Sequence, residues 1–327
     1  MRSPSGFWSE LARPIRALAP MEDVTDTVFR RLIASIAPPD VCFTEFVNAD
    51  GLCSAGYHAV AHRLDFTDAE RPIVAQIWGN NPDNYKKAAV IIRERGFDGI
   101  DINMGCPVKK IVKNGSCSAL IENPTLAAEL YHAARDGAPD LPVSIKTRMG
   151  FRTKKTEEWA QFLLELEPAL LTMHGRTAKD MSDVPADWDE VAKVVAIRDE
   201  MKSTTLVFGN GDVNTKADLD TFPDRYGVDG IMVARGIFRD LRIFRASPGE
   251  EYSVLGRNEK IELYERHIEL YRETWGADKN FNIMKKFGKT YISGFSGAAA
   301  LRNLVMESRN FTEMIATLHD WIENTQT

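Results

Sequence analysis

The chain has few cysteines, no long apolar run and no excess of positive charge, and each shortage removes a class of protein. Four cysteines, Cys42, Cys53, Cys106 and Cys117, stand far apart in 327 residues without a C-x-x-C pair. Neither a disulfide framework nor a zinc site is indicated, no metal-ligating cluster is picked out, and a reduced cytoplasm is the expected location. Nowhere do eighteen apolar residues run together, and Met1 to Arg13 carries two arginines, a glutamate and two aromatics without a continuous apolar centre. That pattern is neither a secretion signal nor a membrane span. No G-x-G-x-x-G occurs, and there is no internal repeat or low-complexity segment. A formal net charge of −6 argues against a polyanion partner only on average. Local clusters count for more: Lys109, Lys110 and Lys113; Arg148, Arg152, Lys154 and Lys155; Lys285, Lys286 and Lys289. Each alone reads as a solvated face, and only their convergence on one side makes a nucleic-acid footprint.

What the chain does have is alternation. Strand-like apolar runs fall at Ile15–Pro20, Val41–Phe46, Ile73–Trp78, Gly99–Asn103, Val143–Thr147, Leu170–His174, Thr205–Phe208 and Gly230–Val233. Amphipathic stretches between them predict helices at Asp26–Ile36, Asn81–Arg95, Pro124–Asp136, Thr156–Leu166, Asp187–Met201 and Asn214–Phe222, with a weaker one around Ser54–His62 and another after Gly236. Asn81-Pro82 and Asn123-Pro124 read as N-cap followed by first-turn proline, and Gly96 and Gly137 as helix stops. Each parallel strand connection needs a crossover, so eight repeats of this unit predict an α/β protein with a (β/α)8 barrel, a TIM barrel. A doubly wound open sheet is the alternative, but Ala19-Pro20-Met21-Glu22-Asp23 stands where its glycine-rich phosphate turn belongs. After Ser247-Pro248-Gly249 the pattern becomes helical only: Glu259–Thr274, Asn280–Ile292, Ala298–Glu307 and Phe311–Asn324. The expected organisation is an N-terminal extension over 1–14, a barrel over 15–246 and a small helical domain over 247–327.

Chemistry in such a barrel belongs at the C-terminal ends of the strands. Those ends supply Met21, Glu45 with Asn48, Gln76, Asn103 with Cys106, Lys146 with Arg148, His174 with Arg176, Asn210 with Asp212, and Arg235. Each has a plain explanation in isolation: a snorkelling lysine, an amide satisfying a loop carbonyl, a hydrogen-bonded core histidine. Together they exceed what a solvated rim needs. A lysine and an amide in one pocket suit a planar heterocycle with carbonyls, and Arg235 among small residues makes a phosphate cradle with Phe208 to Asp212. In Asp101-Ile102-Asn103-Met104-Gly105-Cys106-Pro107, glycine permits a turn and proline fixes φ just past the thiol, so Cys106 reads as an aimed acid. Taken by themselves these seven residues fit a strand end with a small buried cysteine equally well.

In sum these residues resemble the tRNA-dihydrouridine synthase family. The resemblance runs through Ala19 to Asp26, Ala75-Gln76, Asp101 to Pro107, Lys113-Asn114-Gly115, Val143 to Gly150, Met173 to Thr177, Gly209 to Asp212 and Ala234-Arg235-Gly236, with Gly294 to Arg302 similar to the family's C-terminal helical domain. It implies an enzyme that uses FMN, and NADPH as reductant, to reduce the carbon 5–carbon 6 double bond of uridine in tRNA. By the same resemblance Pro20, Met21, Glu22, Gln76, Lys146, His174, Asn210, Gly211, Asp212, Ala234 and Arg235 contact the flavin, and Cys106 is the proton donor to carbon 5. Asn103, Arg148 and Arg176 are expected at the substrate, Lys109 and Lys113 at the tRNA backbone, and the helical domain becomes a tRNA-binding domain. A monomer is the expected form.

Three positions depart from the family's usual pattern. Glu22 replaces an alanine, Ala234 a glycine, and Cys117 a glycine in Gly115-Ser116-Cys117-Ser118-Ala119. Cys117 reads as a small-residue substitution, or else as a second acid or redox partner for Cys106. Two rival readings are kept: an FMN barrel oxidoreductase acting on a free pyrimidine or enone, and a non-catalytic RNA-binding barrel.

Overall fold

A computed structural model of the chain describes residues 6–245 and 249–324. Its strands are β1 (Ile15–Leu18), β2 (Val41–Phe43), β3 (Val47–Asn48), β4 (Ile73–Trp78), β5 (Gly99–Met104), β6 (Val143–Arg148), β7 (Leu170–His174), β8 (Leu206–Asn210) and β9 (Gly230–Val233). Every pairing is parallel. From β4 to β9 each strand pairs with the next, β9 pairs with β1, β1 with β2, and β2 with β4, which closes the ring. Strand β3 only extends the far end of β4, with Val47 opposite Ile77. The expected eight-stranded (β/α)8 barrel is the fold.

Helices Thr27–Ile36, Pro82–Glu94, Pro124–Gly137, Thr156–Glu165, Trp188–Glu200 and Lys216–Tyr226 wrap six of the crossovers. Asn81 and Asn123 cap their helices by accepting the Asn84 and Leu126 amides, each followed by proline in the first turn. Gly96 stops its helix with φ at 78°, a left-handed value that favours glycine. Gly137 does not stop a helix: it lies in the last turn, where a Cβ would sit 2.2 Å from the Lys86 carbonyl, so it lets two helices approach. The two weakest helix expectations become short turns. Ser54–His62 breaks at Gly56 into Tyr57–Val60 and a 3-10 turn. The expected helix after Gly236 is instead the 3-10 turn Arg235–Phe238, beyond which Asp240 accepts the Arg242 and Tyr252 amides.

Side chains alternate across each strand, so every second residue faces the barrel axis. At the floor those residues are apolar: Ile15, Ala17, Val41, Phe43, Val74, Leu170, Phe208 and Met232, plugged by Trp8 from a 3-10 turn at Gly6–Glu10. One layer up they turn polar: Gln76, Asp101, Asn103, Ser144, Arg148 and Asn210 are all buried. That change of character along the axis sets chemistry at the upper end.

Helices Arg257–Trp275, Asn282–Tyr291, Ala298–Glu307 and Phe311–Asn324 follow the barrel. The first two of these rest on helix Thr27–Ile36, with Phe29 stacked on Phe287 at 5.6 Å and the Trp275 indole donating to Asp26 Oδ2 at 2.8 Å. The expected boundary at 246/247 lies outside the described residues. Among those described, no helix is long and apolar enough to cross a membrane.

Candidate active site

The loops beyond β1, β6, β7, β8 and β9 surround a cavity of about 510 Å³. It is lined by Pro20, Met21, Lys146, Arg148, His174, Arg176, Asn210, Gly211, Asp212, Ala234 and Arg235 of the expected residues. Arg239 joins them, unforeseen, although its place one turn beyond Arg235 was a signal. The ionised side chains of the lining are thus five cations against one carboxylate, Asp212. Burial of like charges costs free energy until an anion arrives, which makes this an anion site.

The ionisations report the same imbalance. Burial, and then Arg148, push the Lys146 ammonium down to about 8, although its Nζ donates to Asn210 Oδ1 at 3.1 Å. Burial and the four cations Arg148, Lys146, Arg176 and Arg235 hold His174 well below the usual imidazole range, so it is neutral. Arginine only donates, so the 3.2 Å contact from Arg176 Nη1 makes His174 Nε2 the acceptor and leaves the ring hydrogen on Nδ1. Arg176 is anchored in turn by the Val184 carbonyl and by Asp212 at 2.5 Å. Asp212 takes positive φ (52°) beside Gly211 (119°), the tight turn that presents this carboxylate.

Gln76, Asp101 and Asn103 do not line the cavity, and with Arg148, which does, they form a second polar group. Gln76 donates to Asp101 Oδ2 at 2.6 Å and accepts from Asn103 Nδ2 at 2.9 Å. The Asn103 carbonyl accepts the Gly105 and Cys106 amides, both at 3.0 Å, and Arg148 Nε donates to the Gly105 carbonyl at 2.8 Å. Arg148 also holds the Thr177 and Met181 carbonyls. These side chains, expected at the flavin or the substrate, form a row of hydrogen bonds whose members Asn103 and Arg148 reach the turn that carries Cys106. Asp101 anchors the row through Ser144 at 2.6 Å; burial lifts its carboxyl to about 6. An acid inside an apolar strand was the sequence signal for it.

Cys106 is half-buried, and its thiol is brought down to about 7 by a hydrogen bond from Cys117, against burial, with help from the Val108 amide and Arg148. A thiol poised there is a competent proton donor near neutrality. Glu22 lies outside the cavity lining and pairs with Arg63 at 2.5 Å. Lys109 lines a separate recess of about 650 Å³ with Pro107, Val108, Phe151, Arg152 and Met181, immediately beside Cys106; Lys113 borders neither space. In the other clusters Lys154 and Lys155 are paired with Asp187 and Glu122, whereas Lys286 and Lys289 line a third cavity of about 840 Å³. That cavity shares Arg235 and Arg239 with the first and adds Lys260.

Fold and site define a class: a (β/α)8 barrel with a cation-rich cavity over its last strands and a cysteine on the turn after β5. The family model described as dihydrouridine synthase matches residues 17–326. A Bacillus subtilis (strain 168) protein named probable tRNA-dihydrouridine synthase 2 is 42% identical over 318 residues, 96% of each chain. A Staphylococcus aureus (strain COL) protein named probable tRNA-dihydrouridine synthase is 39% identical over 318 residues, 96% of this chain and 95% of that one. The chain belongs to the dihydrouridine synthase family, and so to the oxidoreductases. A solved structure of 6-hydroxypseudooxynicotine amine oxidase from Pseudomonas geniculata N1 superposes with a TM-score of 0.52 at 12% identity, covering 74% of this chain and 49% of that one, a likeness of fold alone.

Proposed function

We propose that this protein reduces uridine in tRNA to 5,6-dihydrouridine, with FMN in the 510 Å³ cavity and Cys106 as the proton donor. The observation that carries the reading is a thiol held near neutral pKa on a turn braced by Arg148, which itself lines a cavity whose charge calls for an anion. The donor set fits FMN: Arg235, Arg239 and the turns after β8 and β9 suit its phosphate, while Lys146, Asn210 and His174 suit the carbonyls and nitrogens of a flat ring. Bound there, FMN would supply hydride chemistry, with carbon 6 of the pyrimidine as acceptor and NADPH as reductant.

The residues of the chain do the rest. Cys106 protonates carbon 5 as negative charge gathers there, and the sulfur keeps the electron pair of the broken S–H bond. Asn103 and Arg148 act through the backbone: they fix the Gly105-Cys106 turn, so the sulfur does not need to be ordered when the base arrives. Lys146, in the cavity lining, would answer negative charge on the ring system. A stacked uridine must leave its neighbours to reach this depth, and a positive surface must hold the flanking backbone meanwhile. The third cavity supports that demand, with Arg235, Arg239, Lys260, Lys286 and Lys289 facing a single carboxylate, Asp23, where helical domain and barrel meet. This favours tRNA over a free pyrimidine, which needs no extended cationic cleft.

The test supplies purified protein with FMN, NADPH and unmodified tRNA. The expected product is tRNA that has gained two hydrogens at one or more uridines, by mass spectrometry of the nucleosides. Turnover of free uracil with no response to tRNA contradicts the reading.

A further inference from the structure

The recess beside Cys106 has no part in the function proposed above. It measures about 650 Å³ and lies between the turn after β5 and the loops after β6 and β7. Pro107 and Val108 border it one and two residues past the thiol, and Phe151, Ala178 and Met181 stand on the loops opposite. Val108 is 48% and Met181 49% exposed, apolar surface that packing of the fold leaves open. Met181 is also held in left-handed backbone, with φ of 48°, and Arg148 Nη1 donates to its carbonyl at 3.0 Å. Strain of this kind persists where neighbouring structure over-determines it, often at a functional surface. The same arginine holds the Gly105 carbonyl at 2.8 Å, and the Ala178 and Lys179 amides donate to the Gly150 and Phe151 carbonyls, both at 2.9 Å. The two loops and the Cys106 turn are thus braced as one unit. Lys109, Arg152 and Lys179 complete the lining, which holds no carboxylate, and among the described residues none of the three is paired with one.

Apolar walls with one aromatic ring and three unpaired cations match the chemistry of a nucleotide, whose base has two apolar faces and whose flanking phosphates are anions. We propose that the recess seats the base next to the target uridine in tRNA, with its face against Phe151 and Met181 and its phosphates on Lys109, Arg152 and Lys179. The inference rests on the proposed function, in which a uridine is drawn to Cys106. When that uridine leaves the stack, its neighbour loses a stacking face. The neighbour follows one nucleotide behind, and the recess begins one residue past the thiol. Contact with Phe151 and Met181 replaces part of the lost stacking, which lowers the cost of extruding the uridine. Because every base has an apolar face, a seat of this kind takes any base, and the recess adds affinity without dictating sequence.

The experiment measures the affinity of the full chain for unmodified tRNA by filter binding over a series of salt concentrations. It compares wild type with Phe151→Leu, Phe151→Tyr, Met181→Ser and a triple variant carrying Lys109→Gln, Arg152→Gln and Lys179→Gln. Phe151→Leu keeps apolar bulk but loses the flat ring, and is expected to bind about tenfold more weakly at every salt concentration with the slope unaltered. Phe151→Tyr keeps the ring and restores the affinity. Met181→Ser, at an exposed position that folding does not depend on, weakens binding in the same salt-independent way. The triple variant flattens the slope of log Kd against log salt by about 1.4, from about 0.7 for each of the two phosphates flanking one nucleotide. Wild-type affinity in both Phe151→Leu and Met181→Ser overturns the proposal, and so does Phe151→Tyr as weak as Phe151→Leu, which assigns the loss to packing. Slower flavin reduction by NADPH in Phe151→Leu with tRNA affinity intact gives the recess to the dinucleotide and overturns it too. Wild-type protein that binds no tRNA fails the proposed function itself; wild type that binds tRNA and forms dihydrouridine while the recess variants bind alike fails this inference alone.

Discussion

Lys146 and His174 show at single residues what the cavity is built to receive. Both lose affinity for protons through burial among cations, Lys146 to about 8 and His174 far enough to be neutral. An anion in the cavity reverses the penalty for Lys146, so binding and protonation are linked. With FMN as the anion, affinity should hold below about pH 8 and fall as the pH rises past it, because the free protein must then take up a proton to bind. Titration by quenching of flavin fluorescence between about pH 7 and about pH 9 reads this, and Lys146→Met should bind more weakly with a flatter profile. Affinity in the wild type that does not change with pH would remove Lys146 from the anion site. The strand-end polar residues were legible as a set, but the sequence does not separate two jobs among them. Nothing in one dimension shows that Gln76 and Asn103 bond to each other, or that Asn103 also accepts the amides of the Cys106 turn.

Among elements, legibility follows length and boundary chemistry. Strands β4, β7 and β9 coincide with their apolar runs at both ends, and helices Ala298–Glu307 and Phe311–Asn324 do the same. Strand β3 and the 3-10 turns escape, because two to six residues carry no measurable period. Helix Arg257–Trp275 carries a prediction of its own. Its His267 is buried, shares a hydrogen bond at Nδ1 with the Tyr291 hydroxyl at 2.9 Å, and is pushed down to about 4 by burial. Unfolded histidine titrates near 6.5, so the folded state binds this proton less readily than the unfolded one. Stability from this residue is therefore complete above about pH 6.5 and is lost as the pH falls towards about 4. At pH 5 the loss should be about 2 kcal/mol, on the scale of 1.4 kcal/mol per unit. Urea unfolding at pH 7 and at pH 5 measures it, and His267→Phe should lose most of the difference. An equal difference in that variant would assign the pH dependence to other groups.

For the whole molecule, the sequence carried the barrel because strand and crossover alternate with near-constant spacing, and it carried the appended helices because alternation stops after β9. What it did not carry is how the parts close on one another. The cationic cleft is assembled from Arg235 and Arg239 after the last strand and from Lys260, Lys286 and Lys289, which come from two helices of the C-terminal domain. No local pattern announces that meeting; it depends on Phe287 stacking on Phe29 and on Trp275 reaching Asp26. The same closure places the cavity, the aimed thiol and the cleft at one end of the barrel. The central claim is that Cys106 delivers the proton to carbon 5, and one measurement addresses it directly. Protein loaded with FMN and reduced beforehand is mixed with unmodified tRNA in a single turnover, in wild type and in Cys106→Ala. The account predicts that Cys106→Ala retains and accepts reduction of its flavin but forms dihydrouridine about 10²–10⁴-fold more slowly, the range for a lost general acid. Formation at the wild-type rate would contradict it.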